Sequence, residues 1–133
     1  MISELLILWW EVFLFIQIFI GDDYVNTTGF IRGYISKNMV GEDFIVVVVS
    51  ALNREFEEIE NGVKVDKINY EFIITMDEYS LDLSKKLIDN LKSPYGIDKY
   101  ILEEFEKQGF NFDRDRSQYI QYCFGNYVGA QVL

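Results

Sequence analysis

The sequence predicts an α+β fold: an antiparallel sheet of four to five strands with two or three helices packed on one face. Three observations predict it. Period-two apolar runs rich in Val, Ile and Phe fill the first 76 residues, while clear helical stripes begin only after residue 80. Strands first and helices later point to α+β rather than to alternating βαβ units. No internal repeat, linker or low-complexity segment interrupts the chain, so residues 1–133 read as one domain.

The first element is the hardest to place. Fourteen of the sixteen residues from Leu5 to Ile20 are apolar, broken only by Glu11 and Gln17. A membrane-crossing helix needs about 20 such residues, and a carboxylate near its middle costs about 2.5–3.5 kcal/mol on the mildest scale. No Lys or Arg precedes Arg32, so the basic flank of an export signal or anchor is missing. From Val12 to Ile20 the residues are β-branched and aromatic, as in a strand buried on both faces. A short helix capped by Ser3 and running through about Trp10 is expected to lead into it.

A second strand is expected in "TGFIRGYIS", where Ile31, Gly33 and Ile35 alternate with Phe30, Arg32 and Tyr34. A third is expected at Asp43–Ala51, whose valine run suits a strand better than a helix. A fourth covers "KINYEFIITM", with Ile68, Tyr70, Phe72, Ile74 and Met76 on one face and Lys67, Asn69, Glu71 and Thr75 on a half-solvated one. Asn61-Gly62 is a strong hairpin signal. It would pair Val49 with Ile74, Val47 with Met76 and Ala51 with Phe72. The rival reading is a helix through Leu52, Phe56 and Ile59, stopped by Gly62.

Leu83, Leu87, Ile88 and Leu91 form a helical stripe ending before Pro94, the only proline. Ile97, Ile101, Leu102 and Phe105 form another, with Asp98 as a cap and Gly109 as the stop. The tail reads equally as a fifth strand through Tyr119, Tyr122 and Phe124 or as a third helix capped by Asp113.

Composition narrows the function. There is no histidine, which removes Ser-His-Asp and Cys-His catalysis and most zinc sites. Twenty-two acids against twelve bases give a net charge of −10, contrary to the basic footprint that nucleic acid demands. Cys123 is the single cysteine, so no internal disulfide can form, and a reducing cytoplasm is the natural compartment. With no catalytic base beside it, Cys123 reads as a buried thiol. Asp22-Asp23 and Asp113-Arg114-Asp115-Arg116 read as turn acids and local ion pairs, since no calcium-loop pattern surrounds them. No phosphate-cradling glycine loop occurs. The chain is therefore expected not to be an enzyme and to need no cofactor or metal.

The acids cluster. Residues 41–80 hold ten acids against three bases. Glu55, Glu57, Glu58 and Glu60 crowd together, with Asp66 opposite, Asp77 and Glu78 at the far end, and Tyr34 and Tyr70 as aromatic anchors. Such a patch attracts a basic protein and rejects acidic ones. The expected function is a small acidic inhibitor that occludes a basic partner, first as an immunity protein or antitoxin neutralising a toxin, a nuclease among the candidates. A phage or viral anti-defence protein imitating nucleic-acid charge is the alternative. The reading from a different class is a membrane-associated or oligomeric structural protein anchored by residues 5–20, and a homodimer fits either.

Overall fold

The computed structural model describes residues 28–125. Within them lie five helices and one three-stranded antiparallel sheet. The expected Val12–Ile20 strand, the Ser3-capped helix and Asp22-Asp23 lie outside the described residues. The fold is α+β, but with three strands rather than four to five, because two segments expected as strands are helices.

The first correction is α1, Gly29–Asn38. Thr28 caps it, its Oγ1 accepting from the Ile31 backbone N–H at 3.4 Å. Ile31 and Ile35 are two apart in strand alternation but also four apart on a helix, and both are buried. The second correction is α2, Gly41–Glu55. A strand at Asp43–Ala51 would put Val47, Val49 and Ala51 on one face and Phe44, Val46 and Val48 on the other. Instead Val46 is 55% exposed, while Phe44, Ile45, Val48, Val49 and Leu52 are buried at helical spacing. Each valine costs a helix about 0.6 kcal/mol against alanine, whereas burying one stabilises by about 1.5–3 kcal/mol. Tertiary burial wins. Glu42 and Asp43 in the first turn add a favourable dipole interaction.

Asn61-Gly62 is no hairpin turn, and the rival helix is shorter than expected: α2 ends at Glu55 with Phe56 as its C-cap, and a run of turns leads from there to Gly62. Phe56 is buried, and the Gly62 N–H donates to the Ile59 carbonyl at 3.1 Å. The sheet follows as a meander: β1 Val63–Ile68, β2 Glu71–Met76 and β3 Tyr79–Ser84. Val63 faces Met76 and Val65 faces Ile74, replacing the expected pairs of Ile74 and Met76 with the valines of α2. The turns are Asn69-Tyr70 and Asp77-Glu78, with Asn69 at φ 58° and Asp77 at φ 55°. Asn and Asp tolerate that left-handed conformation better than other side-chain-bearing residues. "KINYEFIITM" is thus two strands. The two-residue turn reverses the parity, putting Lys67 on the same face as Phe72, Ile74 and Met76.

Three helices follow. Ser84 ends β3 and caps α3, Lys85–Leu91, so Leu83 lies in the strand instead of opening the helix. The helix α4, Gly96–Lys107, carries its expected buried stripe and is followed by Gly109 at φ 114°. Asp98 is not its cap but lies buried inside the first turn. The tail resolves into α5, Gln118–Cys123, capped by Ser117 rather than Asp113. Helices cover the face of the sheet that carries Val63, Phe72, Ile74, Met76 and Leu83. Among the described residues, no helix is long and apolar enough to cross a membrane.

Gly62 and Gly33 make a controlled pair. Gly62 sits at φ 67°, and an added Cβ would meet Asn53 Oδ1, the atom that accepts from the Val63 N–H at 2.9 Å. Gly62→Ala is expected to lower stability by about 1–2 kcal/mol. Gly33 lies within α1 with nothing near its Cβ position, so Gly33→Ala is expected to raise stability by about 0.5–1 kcal/mol. Urea unfolding of both variants checks the opposite signs.

Candidate functional site

Among the described residues, no helix lies on the sheet's other face. Its nine positions form three cross-strand rows: Lys64, Thr75 and Ser80; Asp66, Ile73 and Asp82; Ile68, Glu71 and Ser84. Strand spacing of about 4.8 Å puts Ile73 between two aspartates, each one strand away. Ile68 is 53% exposed, and Tyr70, at the turn beside that last row, is 84% exposed. Three acids against one base surround this apolar centre. None of the four forms an ion pair among the described residues. An aliphatic and aromatic centre with a charged rim is an arrangement also found at protein-docking surfaces. Among the described residues, no three His, Cys, Asp or Glu side chains are grouped to hold a metal ion.

The residues expected from sequence divide. Asp66 and Tyr70 belong to this face. Asp77 and Glu78 are exposed on the turn at the opposite end of the sheet, the end where β1 begins after Glu60, Asn61 and Gly62. Glu57 and Glu60 are exposed there on the connection from α2. Glu55 and Glu58 do not contribute unmet charge. Arg116 donates to Glu55 at 2.8 Å and to Glu58 at 2.9 Å while lying 4.5 Å over the Phe56 ring. Ser117 also donates to Glu55, whose side chain is only 13% exposed. Glu58's own backbone N–H holds its carboxyl below the usual range, with Arg116 adding to the effect. These two acids clamp α5's approach to α2. Tyr34 lies on α1, 39% exposed, in the helical layer and away from the sheet face.

Ile68, Glu71, Ile73 and Asp82 also lie on this face, outside the residues expected from sequence to meet a partner. The signal for Asp82 is the alternation Tyr79, Leu81, Leu83 against Ser80, Asp82, Ser84, which the helical stripe beginning at Leu83 obscured.

A second cluster is buried. Arg32 of α1 donates two bonds to Asp98 of α4, at 2.6 and 2.7 Å, and one to the Pro94 carbonyl at 2.7 Å. Tyr119 of α5 donates to the same carboxylate. The guanidinium lies 5.5–5.7 Å from the ring centroids of Phe44, Tyr95 and Tyr119. Burial pulls the Arg32 pKa down, but Asp98 more than offsets it, so the charge persists. Cys123 is buried nearby, its thiol pushed well up by burial and then by Asp98. This cluster ties three helices together. With Arg32 and Asp98 both fully buried, it is an internal joint rather than a ligand site.

Comparisons with protein families, with curated proteins and with solved structures found no match.

Proposed function

We propose that the chain is a small binding module that occludes a basic protein in the cytoplasm, docking it on the uncovered sheet face. The observation that carries this reading is the grid of Asp66, Glu71 and Asp82 around Ile73, with Ile68 and Tyr70 exposed at its edge. The apolar centre supplies area to exclude water, and the acids steer a positive partner onto it. An immunity protein or antitoxin that covers a toxin's basic surface is the setting that fits best, because such a role asks for a stable acidic surface and no chemistry.

Titration against a cognate basic toxin domain tests it. Affinity is expected to fall at least tenfold between about 50 and 500 mM salt as the charges are screened. Glu71→Lys combined with Asp82→Lys is expected to slow association and flatten that salt dependence. Affinity indifferent to both salt and charge reversal overturns the reading.

A further inference from the structure

We infer that the exposed edge of β1 is a self-association site, where a second copy of this chain pairs antiparallel to make one continuous six-stranded sheet. The two-residue turn at Asn69-Tyr70 makes Ile68 and Glu71 a hydrogen-bonded pair, so Lys64, Asp66 and Ile68 bond to β2. Val63, Val65 and Lys67 consequently aim their backbone N–H and C=O groups away from the sheet. Asn53 accepts from the Val63 N–H at 2.9 Å, which confirms that direction. No described residue bonds the outward backbone groups of Val65 or Lys67.

The flank of α2 along this edge is partly apolar. Glu42 binds Lys67 at 3.1 Å and Asn53 binds Val63, so α2 runs antiparallel to β1 with one flank beside the edge. Val46 and Ser50 lie on that flank, at i+4 and i+8 from Glu42, and Val46 is 55% exposed.

Charge selects the occupant and the register. A two-fold pairing must join residues whose backbones both point outward. Centring it on Lys64, Asp66 or Lys67 sets that residue against its own copy, like charge against like. Centring it on Val63 sets at the middle of the pairing a residue whose outward N–H already donates to Asn53. Centring it on Val65 leaves Val63 at the two ends, where the Asn53 bond persists and the ladder stops. Only the pairing centred on Val65 is self-complementary: Lys64 then faces Asp66 of the second copy, and Asp66 faces its Lys64. Both are non-hydrogen-bonded pairs, with Cα atoms about 4.5 Å apart. Lys64 and Asp66 are both exposed, and neither has an ion partner among the described residues. The inward Lys67, normally a guard against edge pairing, is already neutralised by Glu42.

Sedimentation of the full chain over a concentration series tests this. The unaltered chain is expected to be a dimer. Lys64→Asp and Asp66→Lys, each creating two like-charge pairs, are expected to raise the dissociation constant about tenfold or more, and the double swap to restore dimerisation. Val65→Pro removes a central N–H that the monomer does not use, and is expected to leave a folded monomer by circular dichroism. A monomeric unaltered chain overturns the proposal. So does a dimer indifferent to the single swaps or to Val65→Pro, or a double swap as weak as the singles. Glu71 and Asp82 lie off this edge, so the partner test reads separately.

Discussion

Asp98→Ala is expected to cost about 3–5 kcal/mol of folding stability, a large part of the roughly 5–15 kcal/mol that holds a typical domain together. Arg32 and Asp98 are both 0% exposed, and the carboxylate accepts two of the guanidinium's hydrogen bonds. Arginine does not escape by losing its proton, because its ordinary pKa exceeds about 12. The variant therefore keeps a positive charge in a pocket walled by Phe44, Tyr95 and Tyr119, and also strips the Tyr119 hydroxyl of its acceptor. Replacing both partners, Arg32→Leu with Asp98→Leu, removes the stranded charge. It is expected to cost much less than Asp98→Ala, since a buried pair is roughly balanced between desolvation and attraction. Urea unfolding midpoints of the single and double variants decide it. Equal losses in both would mean that the pair contributes shape alone.

That joint was out of reach of local sequence reading. Arg32 and Asp98 are 66 residues apart, and each sits in a pattern with a simpler local meaning: Arg32 in an alternating run, Asp98 at the start of a helical stripe. Where local and tertiary preferences agree, the reading holds, as in the Ile97, Ile101, Leu102 and Phe105 stripe stopped near Gly109. Where they conflict, it fails. The run from Ile45 to Val49 favours a strand by side-chain branching, but its neighbours Phe44, Val48, Leu52 and Phe56 lie one helical turn apart and bury together. Extending the Leu52, Phe56 spacing backward through Val48 to Phe44 is the signal that identifies α2. Asn61-Gly62 misled for a related reason. Its glycine does need a positive φ, but the turn that leads from α2 into β1 uses that freedom as readily as a hairpin does. Of the acidic patch, Asp66 and Tyr70 share one sheet face or its edge only because Asn69-Tyr70 is a turn, where the alternation of "KINYEFIITM" suggests one unbroken strand. The pairing of Glu55 and Glu58 with Arg116 depends on α5 returning to α2, which no local pattern encodes.

Raising the pH above about 8.5 is expected to destabilise the chain in two steps, starting at the ordinary thiol range and steepening near the ordinary phenol range of about 10. Tyr119 and Cys123 are each 5% exposed and sit one helical turn apart on α5, close to the Asp98 carboxylate. Burial first, and then Asp98, pushes both groups well above their usual range, and burial likewise raises Tyr95. In the unfolded chain they titrate normally. A group whose folded pKa is raised keeps its proton in the native state while the unfolded state releases it. Its contribution is therefore complete below the unfolded pKa and lost as pH rises toward the folded one. Each such group costs about 1.4 kcal/mol per pH unit in that window. Cys123 alone sets the first slope, and Tyr119 adds its own above that. Cys123→Ala is expected to abolish the first step and leave the second. Urea unfolding at about pH 7, 9 and 10.5, with phenolate absorbance followed alongside, resolves the two. A stability profile flat across that range would show that water reaches the Arg32–Asp98–Tyr119 joint, and that α5 does not seal it.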